Sequence, residues 1–371
     1  MREARNVLLK LESRGEISRS MLYATPLIAV VLTLITGFFL FVFLLDPSKN
    51  ASAFDALYTF FVDPVIASGG IAELLVKATP IILCAIGLSM GFRANVWNIG
   101  AEGQFVIGAI TGTIVVLAFY DVESVFILPM MMVAGTLGGM AWAAIPAFLR
   151  TRFNTNEILV SLMLTYVAVL VLSWAVHGPM IDPDGFNFPQ TRLFHDSALL
   201  PIIWEGTRLH LGAALMLLVV LAAWLIISRH LIGFQIRVIG MAPKAASYAG
   251  FKEKKLIWLT LLVSGGLAGF AGILEAAGPA EQLVPTFPQG YGFTAIIVAF
   301  LGRLHPVGIF MAGLLMALTY LGGENAQIML GMPKSVTGVF QGMLLFYLLA
   351  TDVLIRYRVR IGSAVAKSAN A

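Results

Sequence analysis

Charge is scarce in this sequence of 371 residues: Asp, Glu, Lys and Arg make up 12% of it, against roughly 25% in soluble globular domains. Apolar residues make up 59%, where a soluble domain averages about 45–50%. These residues lie in blocks, and Met21 to Leu45 runs without a charge. That run exceeds the ~20 residues needed to cross about 30 Å of hydrocarbon. Because a soluble core cannot bury several such runs, the sequence predicts an all-α, polytopic integral membrane protein.

Cysteine and the common catalytic motifs are also nearly absent. Cys84 is the only cysteine, which excludes a disulfide within the chain. The sequence has no Gly-x-x-x-x-Gly-Lys-Ser/Thr phosphate loop and no His-Glu-x-x-His or Cys-x-x-Cys pattern. Its five histidines are scattered over the ends of different apolar runs. We therefore expect no catalytic residues and no metal site, and a membrane-embedded enzyme is disfavoured. Uphill movement of a solute would then draw energy from a partner or an ion gradient.

The apolar windows predict about ten transmembrane helices. The two near 291–322 are barely long enough for two crossings, and a single re-entrant hairpin is the alternative there. The predicted spans are residues 21–45, 72–92, 105–120, 125–149, 157–177, 209–228, 256–278, 291–302, 306–322 and 336–352.

The distribution of cations orients these spans. With the N-terminus inside, 19 of the 24 Lys and Arg residues fall in predicted cytoplasmic segments, and four fall outside: Lys49, Arg192, Arg208 and Lys334. Such a bias marks the cytoplasmic side, so the net charge of +4 reflects topology rather than nucleic-acid binding. We expect a cytoplasmic segment over 1–20, a transmembrane domain over 21–352 and a cytoplasmic tail over 353–371. The loop at 178–208 is then external, and the basic loop at about 229–255 is internal.

Five spans on each side of the middle would give two halves of opposite orientation, so a 5+5 inverted repeat is expected. Gly- and Pro-interrupted stretches occupy corresponding positions in the two halves, at 91–104 and 278–292. Paired interruptions of this kind indicate a pathway at the membrane midplane. One interpretation of the first stretch is a broken helix with Asn98, Glu102 and Gln104 facing the path beside Trp97. A simple cytoplasmic loop with helix caps is the other.

Isolated charges inside the predicted spans are further candidates for residues that line a transport path. A carboxylate in mid-span costs roughly 2.5–3.5 kcal/mol and usually faces the bundle interior, which makes Glu275 a candidate path residue unless it lies at the outer end of its span. Lys77 has the same ambiguity, and a Lys77–Glu275 pair is one arrangement. The small-residue runs 135–139 and 264–272 are expected to let helices pack closely.

Three stretches resemble a known family. Asn98-Ile-Gly-Ala-Glu-Gly-Gln104 is similar to a signature of ABC-importer permeases of the ribose, simple-sugar and branched-chain amino acid class. The stretch from Arg237 to Phe251 resembles the cytoplasmic loop of that class, although Ala242 stands where Asn is usual. The stretch 291–302 also fits. Together with Phe-Arg-Ala-Asn-Val-Trp before Asn98, the pattern looks most like the bacterial nucleoside-uptake permeases.

The resemblance implies a transport subunit that moves a small polar solute, most simply a nucleoside, inward by alternating access. A simple sugar or a branched-chain amino acid is the alternative solute, and an ion-coupled secondary transporter the alternative class. The implied partners are a cytoplasmic ABC ATPase that holds ATP and Mg²⁺, a second permease subunit, an extracytoplasmic solute-binding protein and the lipid of a bacterial inner membrane. The channel would be lined by Trp97, Phe105, Phe293 and Phe300. The coupling helix would comprise Pro243, Lys244, Ala245, Ala246, Tyr248 and Gly250, unless this loop is only held by anionic lipid.

Overall fold

The charge-poor runs form long helices in the computed structural model, which describes residues 9–13, 19–45 and 52–361. Nine helices of this described part are long and apolar enough to cross a bilayer. The shortest has 18 residues and measures about 27 Å at 1.5 Å per residue. The predicted helical membrane protein is thereby confirmed. The nine are Ala24–Leu44, Gly70–Arg93, Ala101–Ala118, Ile127–Phe153, Glu157–His177, Leu211–Arg229, Glu253–Ala280, Pro306–Leu330 and Ser335–Ile355.

The chain divides into two compact units. The first contains the described residues up to Leu57 and from Leu330 onward. In it, α1 (Arg19–Leu44) packs antiparallel on α14 (Ser335–Arg356), and the Phe41 and Phe340 rings lie 5.2 Å apart. Strand β1 (Leu9–Ser13) pairs antiparallel with β2 (Tyr357–Ile361). This ribbon is an addition to the expected all-α fold, and its sequences, LKLES and YRVRI, alternate apolar and polar residues as strands do.

The second unit, residues 58–329, contains the remaining elements. Its helices lie between two ends, which we name by composition. The basic end includes Arg93, Arg150 and the 229–255 segment, and the loop end includes the 178–210 segment. The elements are α2 (Ala53–Phe61, shared with the first unit), α3 (Asp63–Ile66), α4 (Gly70–Arg93), α5 (Ala101–Ala118), α6 (Ile127–Phe153), α7 (Glu157–His177), α8 (Leu211–Arg229), α9 (Leu231–Met241), α10 (Pro243–Tyr248), α11 (Glu253–Glu275, continued by a π-helical turn over Ala276–Ala280), α12 (Tyr291–Leu301) and α13 (Pro306–Leu330).

Helix α11 lies at the centre of this unit, against α4, α5 and α6. Glycines allow these contacts: a Cβ added to Gly269 would lie 2.9 Å from the Cα of Gly139 and would also meet the Gly135 carbonyl. Gly108 of α5 faces Gly269 in the same way. Small residues let backbones approach where lipid gives no hydrophobic driving force between helices. The predicted packing role of the two small-residue runs is confirmed.

The predicted span at 291–302 differs from the structure. Helix α12 has 11 residues, about 16 Å, which is too short to cross alone. It is preceded by a non-helical segment that starts at the loop end, where Phe194 N–H donates to Glu281 O (2.9 Å). It is followed by a turn at the basic end, where Arg93 donates to Leu304 O (2.8 Å). The segment and α12 together therefore make one broken crossing, and the re-entrant hairpin is wrong.

Helix α13 runs on to Leu330, eight residues beyond the predicted end at 322. The polar residues from Glu324 to Gln327 make the sequence look as if the span has ended. Within the helix, the charge of Glu324 is offset by the ammonium of Lys77, at 2.8 Å.

Candidate functional site

The first interrupted stretch lies deep in the second unit. The chain leaves α4 after Arg93 and enters α5 at Ala101. Between them, Asn98 Nδ2 donates to Ser264 Oγ at 3.0 Å. Ser264 is the middle residue of α11, about 17 Å from either end. The polar segment therefore reaches the middle of the helices as a broken helix and is not a simple cytoplasmic loop, while the prediction that Asn98, Glu102 and Gln104 face a path stays a prediction.

Asn98 and Gln104 satisfy one another across this break. The Asn98 Nδ2 donates to Gln104 Oε1 (2.8 Å), and the Gln104 Nε2 donates to Asn98 Oδ1 (3.1 Å). The same Asn98 oxygen accepts from Gly100 N–H (3.0 Å). Both side chains are about 1% exposed, so each buried amide satisfies the other, and the Asn98 oxygen also accepts from one backbone N–H of the break. A role for these two residues in lining the path stays a prediction.

Glu102 joins the two broken helices. Its carboxylate, 2% exposed, accepts hydrogen bonds from Gly290 N–H (2.8 Å) and Gly292 N–H (2.6 Å) at the start of α12. Gly292 allows the approach, since an added Cβ would lie 2.6 Å from the Glu102 Cα. Glu102 also lies in the first turn of α5. The positive ends of two helix dipoles thus meet at one carboxylate, and from there α5 runs to the loop end and α12 to the basic end.

The predicted aromatic residues fall in different places. Trp97 and Phe300 stack at 5.8 Å, and Phe92 packs on both, at 5.0 Å from Trp97 and 5.2 Å from Phe300. Phe105 is fully buried and stacks on Phe287. Phe293 is 39% exposed on α12. The structure therefore brings Trp97 and Phe300 together toward the basic end.

A second polar group lies toward the loop end, and we call it the tyrosine–carboxylate cluster: Lys77, Glu275, Tyr291, Tyr320 and Glu324. Lys77 forms its ion pair with Glu324 (2.8 Å). The predicted arrangement in which Lys77 pairs with Glu275 is therefore wrong. Glu275 instead accepts from the Tyr291 hydroxyl at 3.4 Å. The Lys77 ammonium lies 6.0 Å from the Tyr291 ring centroid, and the rings of Tyr291 and Tyr320 are 5.4 Å apart.

Of this cluster, Tyr291, Tyr320 and Glu324 were not singled out from the sequence. The signal was present as the run Glu-Asn-Ala-Gln in an otherwise apolar segment. The Glu324 side chain is 53% exposed and lies six residues, about 9 Å, from the end of α13. A charge on a lipid-facing surface costs roughly 2.5–3.5 kcal/mol or more. This face of α13 therefore adjoins water or protein.

The loop end carries two further polar contacts, made by Arg208 and His210, which lie outside the spans. Arg208 donates to both oxygens of Glu73 (2.8 and 2.6 Å), and these hydrogen bonds raise the pKa of Arg208. His210 caps α8 by accepting from Gly212 N–H (3.1 Å). Burial lowers the pKa of His210 to about 4, against a smaller opposing effect of the Glu73 charge. In the described ranges, no group of three His, Cys, Asp or Glu residues is placed to hold a metal ion.

The basic loop forms α9 and α10. Ile236, Ile239 and Ala246 are buried in a cluster with the basic-end residues of α4 and α11, among them Met90 and Leu261.

In α10 only Ala246 is buried, while Tyr248 is 93% exposed. The helix ends at Tyr248, and the turn after it contains Gly250, whose φ of +80° is favourable for glycine. The predicted coupling segment, Pro243 to Gly250, is thus a short helix and its C-terminal turn, held by one side chain and otherwise exposed.

Comparisons with known proteins find similar sequences. Residues 70–349 match the family described as the permease component of branched-chain amino acid transport systems. A glucose ABC transporter permease of Haloferax volcanii is 34% identical over 96% of this chain and 94% of its own length. A guanosine ABC transporter permease of Bacillus subtilis is 31% identical over 93% of this chain and 97% of its own.

A nucleoside ABC transporter permease of Lactococcus lactis is 26% identical over 78% of this chain and 81% of its own length. Among solved structures, an inward-facing metal-chelate type ABC transporter superposes with a TM-score of 0.48 at 16% identity, over 90% of this chain and 99% of the other.

Proposed function

Because this chain belongs to the permease-component family of ABC transport systems, we propose that it imports nucleosides across a bacterial inner membrane, with both termini in the cytoplasm. The nucleoside assignment is supported by the guanosine permease similar to it over nearly the whole length of both chains and by the nucleoside-type motif that ends in Gln104. The glucose permease of H. volcanii makes a simple sugar the second candidate.

The observation that carries the mechanism is the exposed helix α10. Six residues form it, and only Ala246 is buried, so the rest of its surface is available to a partner. Lys244 and Tyr248 project from the end where Arg and Lys residues crowd, which the positive-inside rule assigns to the cytoplasm. We propose that this helix docks in a groove of an ABC ATPase. ATP and Mg²⁺ would bind in that partner, and its closure would move α10 and, through Ala246, the basic ends of α4 and α11.

The translocation path would follow the broken helices. Trp97, Asn98, Glu102, Gln104, Glu275, Phe293 and Phe300 lie along α5, α11, α12 and the segments between them. A second permease subunit would complete the path, and a solute-binding protein would deliver the solute at the loop end.

Uptake of radiolabelled guanosine and glucose tests the substrate. In cells that lack this chain we expect guanosine uptake to fall to background and to return with the wild-type gene, with glucose uptake unaffected. Guanosine uptake that persists in the deletion strain discards the nucleoside assignment, and selective loss of glucose uptake replaces it with a sugar. Uptake that survives collapse of the ion gradients but not ATP depletion excludes an ion-coupled carrier.

Co-purification tests the docking helix. Tyr248→Ala should lower recovery of ATPase activity with the tagged chain severalfold. The matched control is Tyr166→Ala, because Tyr166 is 59% exposed but lies within the span α7. If both variants retain the ATPase equally, α10 is not the docking element.

A further inference from the structure

The tyrosine–carboxylate cluster is assembled from four helices. Lys77 comes from α4, Glu275 from α11, Tyr291 from α12, and Tyr320 and Glu324 from α13. Lys77 lies seven residues into a 24-residue helix, about 10 Å from the loop end. When this helix, about 36 Å long, is centred in a hydrocarbon layer of about 30 Å, Lys77 lies within the layer. Because polar groups at that depth lie against protein or water, the cluster has the position of a site on a transport path.

The carboxylates of the cluster have acceptor capacity left over. A carboxylate has about four lone-pair positions. In the described part of the chain, Glu324 receives the ammonium of Lys77, and Glu275 receives only the 3.4 Å contact from the Tyr291 hydroxyl. The exposed side of Glu324 therefore presents acceptors and no donors, and the ligand groups that match it are hydrogen-bond donors such as hydroxyls. Two adjacent hydroxyl groups can donate to one carboxylate together.

Aromatic surface lies beside these acceptors. The Tyr320 ring meets Tyr291 at 67° and is held by its hydroxyl, which contacts Thr294 Oγ1 at 2.8 Å and donates to Gln289 O at 3.2 Å. Tyr291 is buried, while Tyr320 is partly exposed. A fixed ring packs against a sugar or base at little entropic cost.

The formal charge of the cluster also restricts the charge of a ligand that could bind there. One cation stands against two carboxylates, so a phosphate group would be repelled. The cluster thus disfavours an anionic ligand and can take a ring that carries adjacent hydroxyls.

We propose that the tyrosine–carboxylate cluster is a solute-contact site within the permease, where Glu324 accepts hydrogen bonds from the vicinal hydroxyls of a ribose- or hexose-type ring. The inference rests on the proposed function and adds that the permease itself, and not only a binding protein, reads those hydroxyls. A nucleoside and a simple sugar share this chemistry, so the test includes both.

The test compares uptake of guanosine with uptake of 2′,3′-dideoxyguanosine in cells that carry the wild-type chain or Glu324→Gln. Since the binding protein is the same in both strains, a change in the uptake ratio belongs to the permease. Loss of a charge-assisted hydrogen bond should lower that ratio about tenfold. The hexose arm compares glucose with 2-deoxyglucose. Glu275→Gln is the second variant, to be used if Glu324→Gln does not reach the membrane.

The control is Glu281→Gln, which removes an exposed carboxylate outside the cluster and should keep the wild-type ratio. Ratios unchanged in both cluster variants, with wild-type uptake intact, overturn this inference and leave the proposed function in place. Wild-type cells that take up neither guanosine nor glucose above the deletion strain overturn the proposed function, and the inference falls with it.

Discussion

The carboxylate of Glu102 accepts a 2.6 Å hydrogen bond from the backbone N–H of Gly292, so the first turn of one broken helix caps the start of the other. Both helices begin inside the second unit, where water cannot satisfy their free N–H groups. One acidic side chain offsets two dipoles. Glu102 thereby joins α5 to α12 at the point where each of these two crossings is interrupted.

Replacing Glu102 should loosen this junction. We expect Glu102→Ala to lower the free energy of unfolding by about 1.5–3 kcal/mol, the value of a hydrogen bond to a charged group, and Glu102→Gln to lower it less. Thermal unfolding of the purified protein measures the first effect, and faster amide exchange at Gly290 and Gly292 reports the location. Exposed Glu281, changed to Gln, is the control. An alanine variant as stable as wild type, with unchanged exchange, would refute the capping role.

The second prediction concerns the close helix packing at Gly269. A methyl group there would collide with Gly139, and overpacking of this kind typically costs about 1–3 kcal/mol. Gly269→Ala should therefore lower the thermal midpoint and the yield of folded protein. Gly342→Ala is the matched control. Gly342 also lies inside a helix, but nothing lies within 4 Å of its added Cβ. Equal stability of the two variants would contradict the assigned contact.

His210 should make stability depend on pH. Its pKa is about 4 in the folded protein and about 6.5 when exposed, so between these values the unfolded chain binds a proton that the folded chain does not. The free energy of unfolding then falls as pH falls from 6.5 toward 4. His210→Asn keeps a capping side chain and should flatten that slope in thermal unfolding at several pH values.

Exposed His230 caps α9 with the same geometry, accepting from Ile232 N–H at 3.2 Å. His230→Asn therefore controls for exchanging a histidine cap for an asparagine cap. A slope unchanged in His210→Asn would show that other groups cause the pH dependence.

Arg93 holds the turn between α12 and α13. Its guanidinium donates twice to Leu304 O, at 3.0 and 2.8 Å, and both Arg303 and Leu304 have a φ of +56°, which non-glycine residues seldom adopt. A lysine keeps the charge but not the fork. Arg93→Lys should therefore cost about 1 kcal/mol and speed tryptic cleavage after Arg303. Arg229→Lys, at an exposed helix end, is the comparison, and equal cleavage rates would argue against the clamp.

Much of this architecture follows from the sequence because lipid imposes simple rules. Long uncharged runs indicate spans, and the crowding of cations at one end indicates orientation. The interrupted stretch around Asn98 could be found from glycines and polar residues alone. The short helix over Pro243 to Tyr248 was also predictable, since its alanines favour a helix and its proline a start.

Contacts distant in sequence were not predictable. The boundary of α13 was misplaced because Glu324 looks like the end of a span until Lys77, on another helix, is placed beside it. The bounds of α12 lie within the predicted span at 291–302, but the non-helical segment that completes its crossing was not predicted, because that segment is stabilised by partners elsewhere in the chain.

The sequence by itself determined that this protein is built for a bilayer, which stretches cross it and which of them are interrupted, since those properties depend on local composition. Only the tertiary structure decided that Glu102 reaches α12, 190 residues away, and that two tyrosines, two carboxylates and a lysine from four helices lie together. A buried charge is tolerable only where partners converge on it, and that convergence is a property of the packed helices.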